Sequence, residues 1–262
     1  MPFACTPNFR TDMFVFPMMG QSSRFTRAGY TMPKYQLPLA GTTVFTTVLA
    51  GFRHYFDTDL FLFAIPASAS IRDNITKQCR ELGIRHTRIV ELPAPTAGQA
   101  DTVYQALPSG STDDDELIVF NIDTLRPGFR KPTLAADDQG CLEVFEGEGE
   151  HWSFIEPGPA HTVLRTTEKQ RISHWCSNGL YQFSTAQHFR QAFEAAQMRG
   201  LKTKGEYYIA PLYNHLIEAG LRVTYQPVSA EDMLFCGTPH EYETLRRLSP
   251  QLLRERLELP YL

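Results

Sequence analysis

Apolar runs of strand length alternate with amphipathic stretches of helix length through the first half of the chain. "MFVFPM" over residues 13–18 is apolar at every position and predicts a buried strand. Val44, Phe45, Val48, Leu49, Phe52 and Phe56 then fall on one helical face. "LFLFAI" at 60–65 predicts a second strand, 70–82 a helix stopped by Gly83, and "HTRIVEL" at 86–92 a weaker third strand. A helix over 99–107 and the apolar run "ELIVFNI" at 116–122 complete the series. Strands that are apolar on both sides, separated by helices, predict a parallel sheet covered on both faces.

The pattern changes after residue 131. Residues 131–183 hold short strand-like pieces broken by Gly and Pro, which predicts an antiparallel excursion within a mixed sheet. Helical rhythm returns with the stripe Tyr208, Ile209, Leu212, Tyr213, Leu216 and Ile217, closed by Gly220. "LRVTYQPV" predicts a last strand, and the chain from residue 240 reads as helical. The run "SGSTDDDE" at 109–116 is a polar surface loop, not a domain boundary. The expected fold class is therefore α/β: three layers, α/β/α, Rossmann-like, around a central mixed sheet.

Composition narrows the function classes. Of 262 residues, 42% are hydrophobic and 21% charged, as in ordinary globular proteins, and the formal net charge is -4. No global basic field exists to hold a nucleic acid, although a local cationic loop can hold a small anion. The five cysteines, Cys5, Cys79, Cys141, Cys176 and Cys236, are scattered without a Cys-x-x-Cys pair and predict reduced, buried thiols. The opening residues show no apolar signal-peptide core, and no apolar run approaches the length of a bilayer span. The expected location is cytoplasmic, without membrane insertion.

The stretch "FVFPMMGQSSRFTRAGYTMPKYQLPLAG" carries the chemistry. Ligands of open α/β sheets sit at the carboxyl ends of the strands, and this loop follows the first strand. Gly20, Gln21, Ser22 and Ser23 can turn tightly and aim successive N–H groups at one anion. Arg24 adds a planar donor fork and Lys34 a compact charge.

This stretch resembles the signature of the sugar-phosphate nucleotidylyltransferases: Gly20, Ser23, Arg24, Pro33 and Lys34 match, and Ser22 stands where a second glycine is usual. Further resemblances follow in the same order. They are "FNIDT" with Asp123, "PTAGQADTVYQAL" with Gly98 and Gln99, "TEKQ" with Glu168 and Lys169, "SNGLYQF" with Asn178 and Gly179, "KGEYYIAPLYNHLIEAGLRV" with Glu206, and "CGTPHEY". The resemblance spans residues 14–242. It implies one nucleotidyltransferase-like domain over 1–262, with a nucleotide-binding half at about 13–125 and an acceptor-binding half at about 126–262.

It also implies an enzyme of the nucleotidyltransferase class that joins a nucleoside triphosphate to a phosphorylated small molecule and releases pyrophosphate, as in capsule and surface-glycan assembly. The acceptor would be a sugar 1-phosphate or a phospho-amino-alcohol or phospho-amino-acid used with CTP. Implied roles are phosphate contacts for Arg24, Lys34 and Lys169, nucleotide contacts for the 20–23 loop, Gly98 and Gln99, acceptor contacts for Glu168, Lys169, Asn178, Gly179 and Glu206, and a Mg²⁺ ligand at Asp123. A homo-oligomer is compatible with the sequence. Each residue also has a plain structural reading, such as a turn or helix cap for Asp123 and a solvated charge for Lys169.

One departure stands out: Phe235 occupies the place of a second metal aspartate. Three outcomes stay open: Asp123 with phosphate oxygens and water, Asp232 reaching in, or an impaired enzyme. Two rival classes remain, a nucleotide-sugar-dependent glycosyltransferase, for which "NIDT" offers one aspartate and no Asp-x-Asp motif follows, and a non-catalytic nucleotide-binding homologue, suggested by Phe235 and Ile122.

Overall fold

The computed structural model describes residues 12–108 and 113–256. Cys5, the rest of the opening segment and the first four positions of the 109–116 loop lie outside them. A nine-stranded mixed sheet is built from β1 (Met13–Pro17), β2 (Leu60–Pro66), β3 (His86–Leu92), β4 (Leu117–Val119), β5 (Asp138–Glu146), β6 (Ser153–Pro157), β7 (Val163–Glu168), β8 (Trp175–Phe183) and β9 (Arg222–Pro227). The order is β7-β6-β8-β4-β1-β2-β3, with β5 paired to β8 and β9 to β5. Strands β4, β1, β2 and β3 run parallel, whereas β8 pairs antiparallel with β4, β5 and β6.

The strand period of two sorts the core. Phe14 and Phe16 join Phe61 and Phe63 on one face, under α2 (Val44–Ala50) and α3 (Ala69–Leu82); α1 (Ser23–Arg27) lies in the opening loop. Met13, Val15, Leu62 and Ala64 face the other side, under α4 (Gln99–Ala106), α5 (Ala186–Met198) and α6 (Tyr213–Glu218). Both faces of these strands are buried, so continuous apolar runs were required, each side chain stabilising the fold by about 1.5–3 kcal/mol. Two further helices, α7 (Pro239–Arg246) and α8 (Pro250–Arg256), close the described chain.

Several elements differ from the sequence expectation. The helix expected over residues 44–56 ends at Ala50 and gives way to a 3-10 turn at Arg53–Tyr55. Gly51 lies so close to Arg126 that a Cβ there would sit 2.3 Å from its carbonyl oxygen. The opening loop contains the helical turn α1 instead of running free. The stripe from Tyr208 becomes a 3-10 turn at Ala210–Leu212 followed by α6, because Pro211 supplies no N–H to an earlier turn. The pattern had not singled out α5, although Ala186, Phe189, Ala192, Phe193 and Ala196 bury one face and the Thr185 side chain caps it by accepting from the His188 N–H. The strand expected at 116–122 is regular only over Leu117–Val119, with Phe120 N–H still bonded to the Val15 carbonyl, and residues 121–123 leave the sheet.

From β1 the chain winds outward to β2 and β3, then crosses back to β4 on the other side of β1. The crevice beyond the carboxyl ends of β1 and β4 is therefore the topological switch point, where open sheets of this kind bind ligands.

Candidate active site

A cleft of about 620 Å³ opens at this switch point. Its first wall is the loop after β1: Gly20, Gln21, Ser23, Arg24 and Lys34 line it. Ser22 stands behind the wall. Its backbone is left-handed, with φ 49°, and its Oγ accepts the Lys34 N–H at 3.3 Å, so it folds the loop back on itself.

Gly98 and Gln99 line the second wall. A Cβ on Gly98 would meet Tyr207 backbone atoms at 2.5 and 2.7 Å, and its φ is +123°, so the close approach of the two half-chains requires glycine here. Gln99 Nε2 donates to Asn121 Oδ1 at 2.6 Å. Asn121 in turn leans on Gly179, where a Cβ would lie 1.9 Å from its Nδ2. Gly179 therefore serves the cleft by making room, not by a side chain.

Asp123 follows β4 and forms an ion pair with Lys34 Nζ. Its carbonyl accepts the Cys236 N–H at 2.9 Å, which draws the 235–238 segment across the cleft. Phe235 lines the cleft from that segment and packs on Trp152 and Phe145, with ring centres 5.0 and 5.3 Å apart. Asp232 is exposed and lies outside the cleft wall, so the expectation that it might reach in is not met. Glu241 does reach the wall, but its Oε2 accepts the Thr238 N–H at 2.9 Å in the capping box of α7. Among the described residues no group of three or more His, Cys, Asp or Glu could hold a metal ion.

The acceptor side is a polar chain. Glu168 ends β7, lines the cleft and accepts from the Ser153 hydroxyl, which also lies 3.2 Å from the Tyr181 hydroxyl. Lys169 turns through φ 55°; its Nζ sits 3.7 Å from Glu168 Oε1 and donates to the Tyr208 hydroxyl. Lys169 thus lies beside the cleft, and Tyr208 stands in the wall. Burial, followed by the neighbouring Glu206, raises the Tyr208 hydroxyl above its ordinary pKa. Glu206 is exposed and also lines the cleft. Asn178 is 1% exposed, and its hydrogen bonds run inward: its amide donates to Glu143, and its Oδ1 accepts the Leu180 N–H at 3.0 Å.

Burial also raises the Glu168 carboxyl above the ordinary glutamate range, against the lowering effects of Ser153 and Lys169. The folded protein then holds this proton more tightly than the unfolded chain does. Its contribution favours folding at low pH and is lost as pH rises through the raised value. The stability of the wild type relative to Glu168→Gln is expected to fall as pH rises from below the ordinary glutamate range through the raised value. Thermal melts of both proteins across that range check it, and a pH-independent difference would reject it.

Sequence reasoning missed Asn121, Trp152, Ser153, Tyr208 and Glu241 in the wall. Asn121 was legible inside "FNIDT", one residue from the buried Ile122. Tyr208 and Glu241 lay inside the segments "KGEYYIAPLYNHLIEAGLRV" and "CGTPHEY", but no local pattern placed them, Trp152 or Ser153 in the cleft.

No family model and no curated protein sequence matches the chain. Solved structures do. A nucleoside-diphosphate-sugar pyrophosphorylase from Vibrio cholerae RC9 is 38% identical over 90% of this chain and 100% of its own, with a TM-score of 0.81. An inositol-1-phosphate CTP transferase from T. maritima is 12% identical over 97% of this chain and 98% of its own, with a TM-score of 0.72. A UDP-glucose pyrophosphorylase complexed with UDP-glucose is 13% identical over 90% and 97%, with a TM-score of 0.67. The latter two resemble this chain in fold alone. Among the described residues no helix is long and apolar enough to cross a membrane.

Proposed function

This chain belongs to the sugar-phosphate nucleotidyltransferase family, and from that premise we propose that it joins a nucleoside triphosphate to a phosphorylated small molecule with release of pyrophosphate. The observation that carries the reading is the meeting, in one cleft at the switch point, of the cationic opening loop, Asp123, and the Glu168–Glu206 side. In this reading residues 1–262 act as one unit, with a nucleotide-binding half at about 13–125 and an acceptor-binding half at about 126–262.

In the reaction, an oxygen of the acceptor phosphate attacks the α-phosphorus of the triphosphate. The bond from that phosphorus to the bridging oxygen breaks, and pyrophosphate leaves with the electron pair. The nucleophile is already anionic, so no general base is needed. The protein must instead hold two polyanions in line and offset their charge. Arg24 binds the leaving β- and γ-phosphates, and the 20–23 backbone N–H groups cradle them. Lys34 contacts the α-phosphate and the incoming phosphate. Gly98 and Gln99 meet the base and ribose. Lys169 exchanges the Tyr208 hydroxyl for the acceptor phosphate. Glu206 and Glu168 accept hydrogen bonds from the acceptor. Gly179 and the inward-turned Asn178 shape the floor on which the acceptor rests.

Asp123 suits Mg²⁺, a hard cation that takes few protein oxygens and keeps waters and substrate phosphates. When bound, Mg²⁺ neutralises charge on the reacting phosphates. Asp123 would hold the ion, and Lys34, which pairs with the Asp123 carboxylate, would turn to phosphate.

For the acceptor we favour a sugar 1-phosphate or a phospho-amino-alcohol or phospho-amino-acid paired with CTP, in capsule or surface-glycan synthesis in the cytoplasm. A pyrophosphate-release assay with four triphosphates against a panel of these acceptors tests the proposal. Release that requires both a triphosphate and one acceptor class is expected. Absence of release with every pair would favour the non-catalytic reading, and transfer from a nucleotide sugar would favour a glycosyltransferase.

A further inference from the structure

The loop that carries Arg24 is held from the far end of the chain. Helix α1 has five residues, lacks a side-chain cap and buries only Phe25. A helix that short does not persist alone, since isolated helices under about 12–15 residues are marginal. Its support comes from aromatic rings. Phe25 meets Tyr30 with ring centres 5.4 Å apart, and both meet Tyr242 of α7, at 6.1 and 5.7 Å. The Tyr30 hydroxyl donates to Glu243, also on α7. Tyr242 is 1% exposed, and its hydroxyl donates to the Pro38 carbonyl at 2.8 Å, beyond Lys34. Arg254 of α8 completes the clasp by donating from Nε to the Ala40 carbonyl at 2.8 Å. One side chain, Tyr242, therefore touches the loop next to Arg24, at Phe25, and on both sides of Lys34, at Tyr30 and Pro38.

We propose that Tyr242 is a positioning residue for triphosphate binding, acting through α1 and the Pro38 carbonyl to hold Arg24 and Lys34 over the cleft. The proposal rests on the nucleotidyltransferase reading above. α7 suits this role because its first turn, with Thr238 and Glu241, forms part of the cleft wall. The wall and the loop anchor thus share one rigid helix. The acceptor side, at Glu168, Lys169 and Tyr208, hangs from other elements and does not depend on the clasp.

Two measurements test this on the whole 262-residue chain. Tyr242→Leu keeps an apolar side chain but removes both ring contacts and the hydroxyl. Hydrogen exchange at the Phe25, Ala28 and Tyr30 amides, all bonded within this turn, is expected to quicken by about tenfold, the loss of aromatic contacts converted to an opening equilibrium. Exchange in β2 should stay unchanged. In steady-state assays the triphosphate KM should rise by a similar factor, about tenfold, with the acceptor KM unmoved. Tyr242→Phe, which loses only the hydroxyl bonded to Pro38, should return both values most of the way to wild type. Leu245→Ala serves as the control: it loosens a buried site on α7 and should lower the melting temperature without shifting the triphosphate KM.

Unchanged α1 exchange in Tyr242→Leu would overturn the proposal. So would equal rises in both KM values, or a Leu245→Ala enzyme with the same triphosphate defect. If α1 loosens as expected but the wild type uses no triphosphate, the functional reading fails and with it the catalytic meaning of the anchor. If Tyr242→Leu does not fold, Phe25→Leu replaces it, since it breaks the ring contact between Tyr242 and α1 from the α1 side. Faster α1 exchange and a higher triphosphate KM are again expected, and wild-type values for both would overturn the proposal.

Discussion

Asp123→Asn is expected to slow pyrophosphate release by about 10²–10³-fold, the scale at which removing one preorganised electrostatic group acts on a transition state. The amide keeps the shape of the carboxylate but loses the charge that attracts a hard cation. Two features make this the largest effect. Phe235 cannot ligate, so among the described residues no second aspartate lines the cleft, and Glu241 is engaged by its own helix cap. Asp123 also pairs with Lys34, so the substitution disturbs both partners of one ion pair. Effects at Lys34 and Asp123 should therefore be non-additive in a double-mutant cycle. Near-wild-type turnover in Asp123→Asn, with a chelator still stopping the enzyme, would place the metal elsewhere. A working enzyme indifferent to the chelator would remove the metal from the mechanism. Asp232→Asn is expected to leave turnover unchanged, because that residue is exposed outside the cleft wall.

Lys34→Ala and Arg24→Ala are each expected to weaken triphosphate binding by about ten- to a hundredfold, or about 1.5–3 kcal/mol for a lost charge-assisted hydrogen bond. Calorimetric titration with the triphosphate and Mg²⁺ measures it. The two variants should differ in a second respect. Arg24 is exposed at the cleft, so its removal should leave the melting temperature nearly unchanged. Lys34 is partly buried against Asp123, with side-chain exposures of 23% and 18%, so its removal leaves a carboxylate without that cation and should lower stability. Excess Mg²⁺ should recover part of that loss by occupying the freed carboxylate. Unchanged affinity in both variants would reject the phosphate roles of the opening loop.

Much of the architecture was legible because it depends on local period. The strands near residues 13, 60 and 86 announced themselves through apolar content, and α3 through its apolar spacing and the stop at Gly83. The alternation of these elements was sufficient to infer a parallel sheet and to place the site beyond β1. Boundaries differed where the apolar stripe outran the helix: Gly51, packed on the Arg126 carbonyl, caps the first helix, and Pro211 delays α6. The signature loop was legible as an anion binder because its residue types and spacing are contiguous. The capping pair that occupies Glu241 was present in "TPHE", but its bearing on the cleft was not.

By itself, then, the sequence determined the kinds of element, the cationic loop at the end of the first strand, and the family resemblance that residues 14–242 carry. These are properties of short windows, where hydrophobic period, turn chemistry and residue type act within a few positions. Only the tertiary structure decided which side chains are paired. Lys34 meets Asp123 across 89 positions, Lys169 meets Tyr208 across 39, and Tyr242 reaches Pro38 across 204. It also turned Asn178 inward toward Glu143 and left Asp232 outside. The physical reason is that such pairings depend on sheet register and on the crossing from β3 back to β4, which bring distant segments to one crevice. No local pattern encodes that distance, because a carboxylate or a lysine reads the same in sequence whether it faces a ligand, a partner or water.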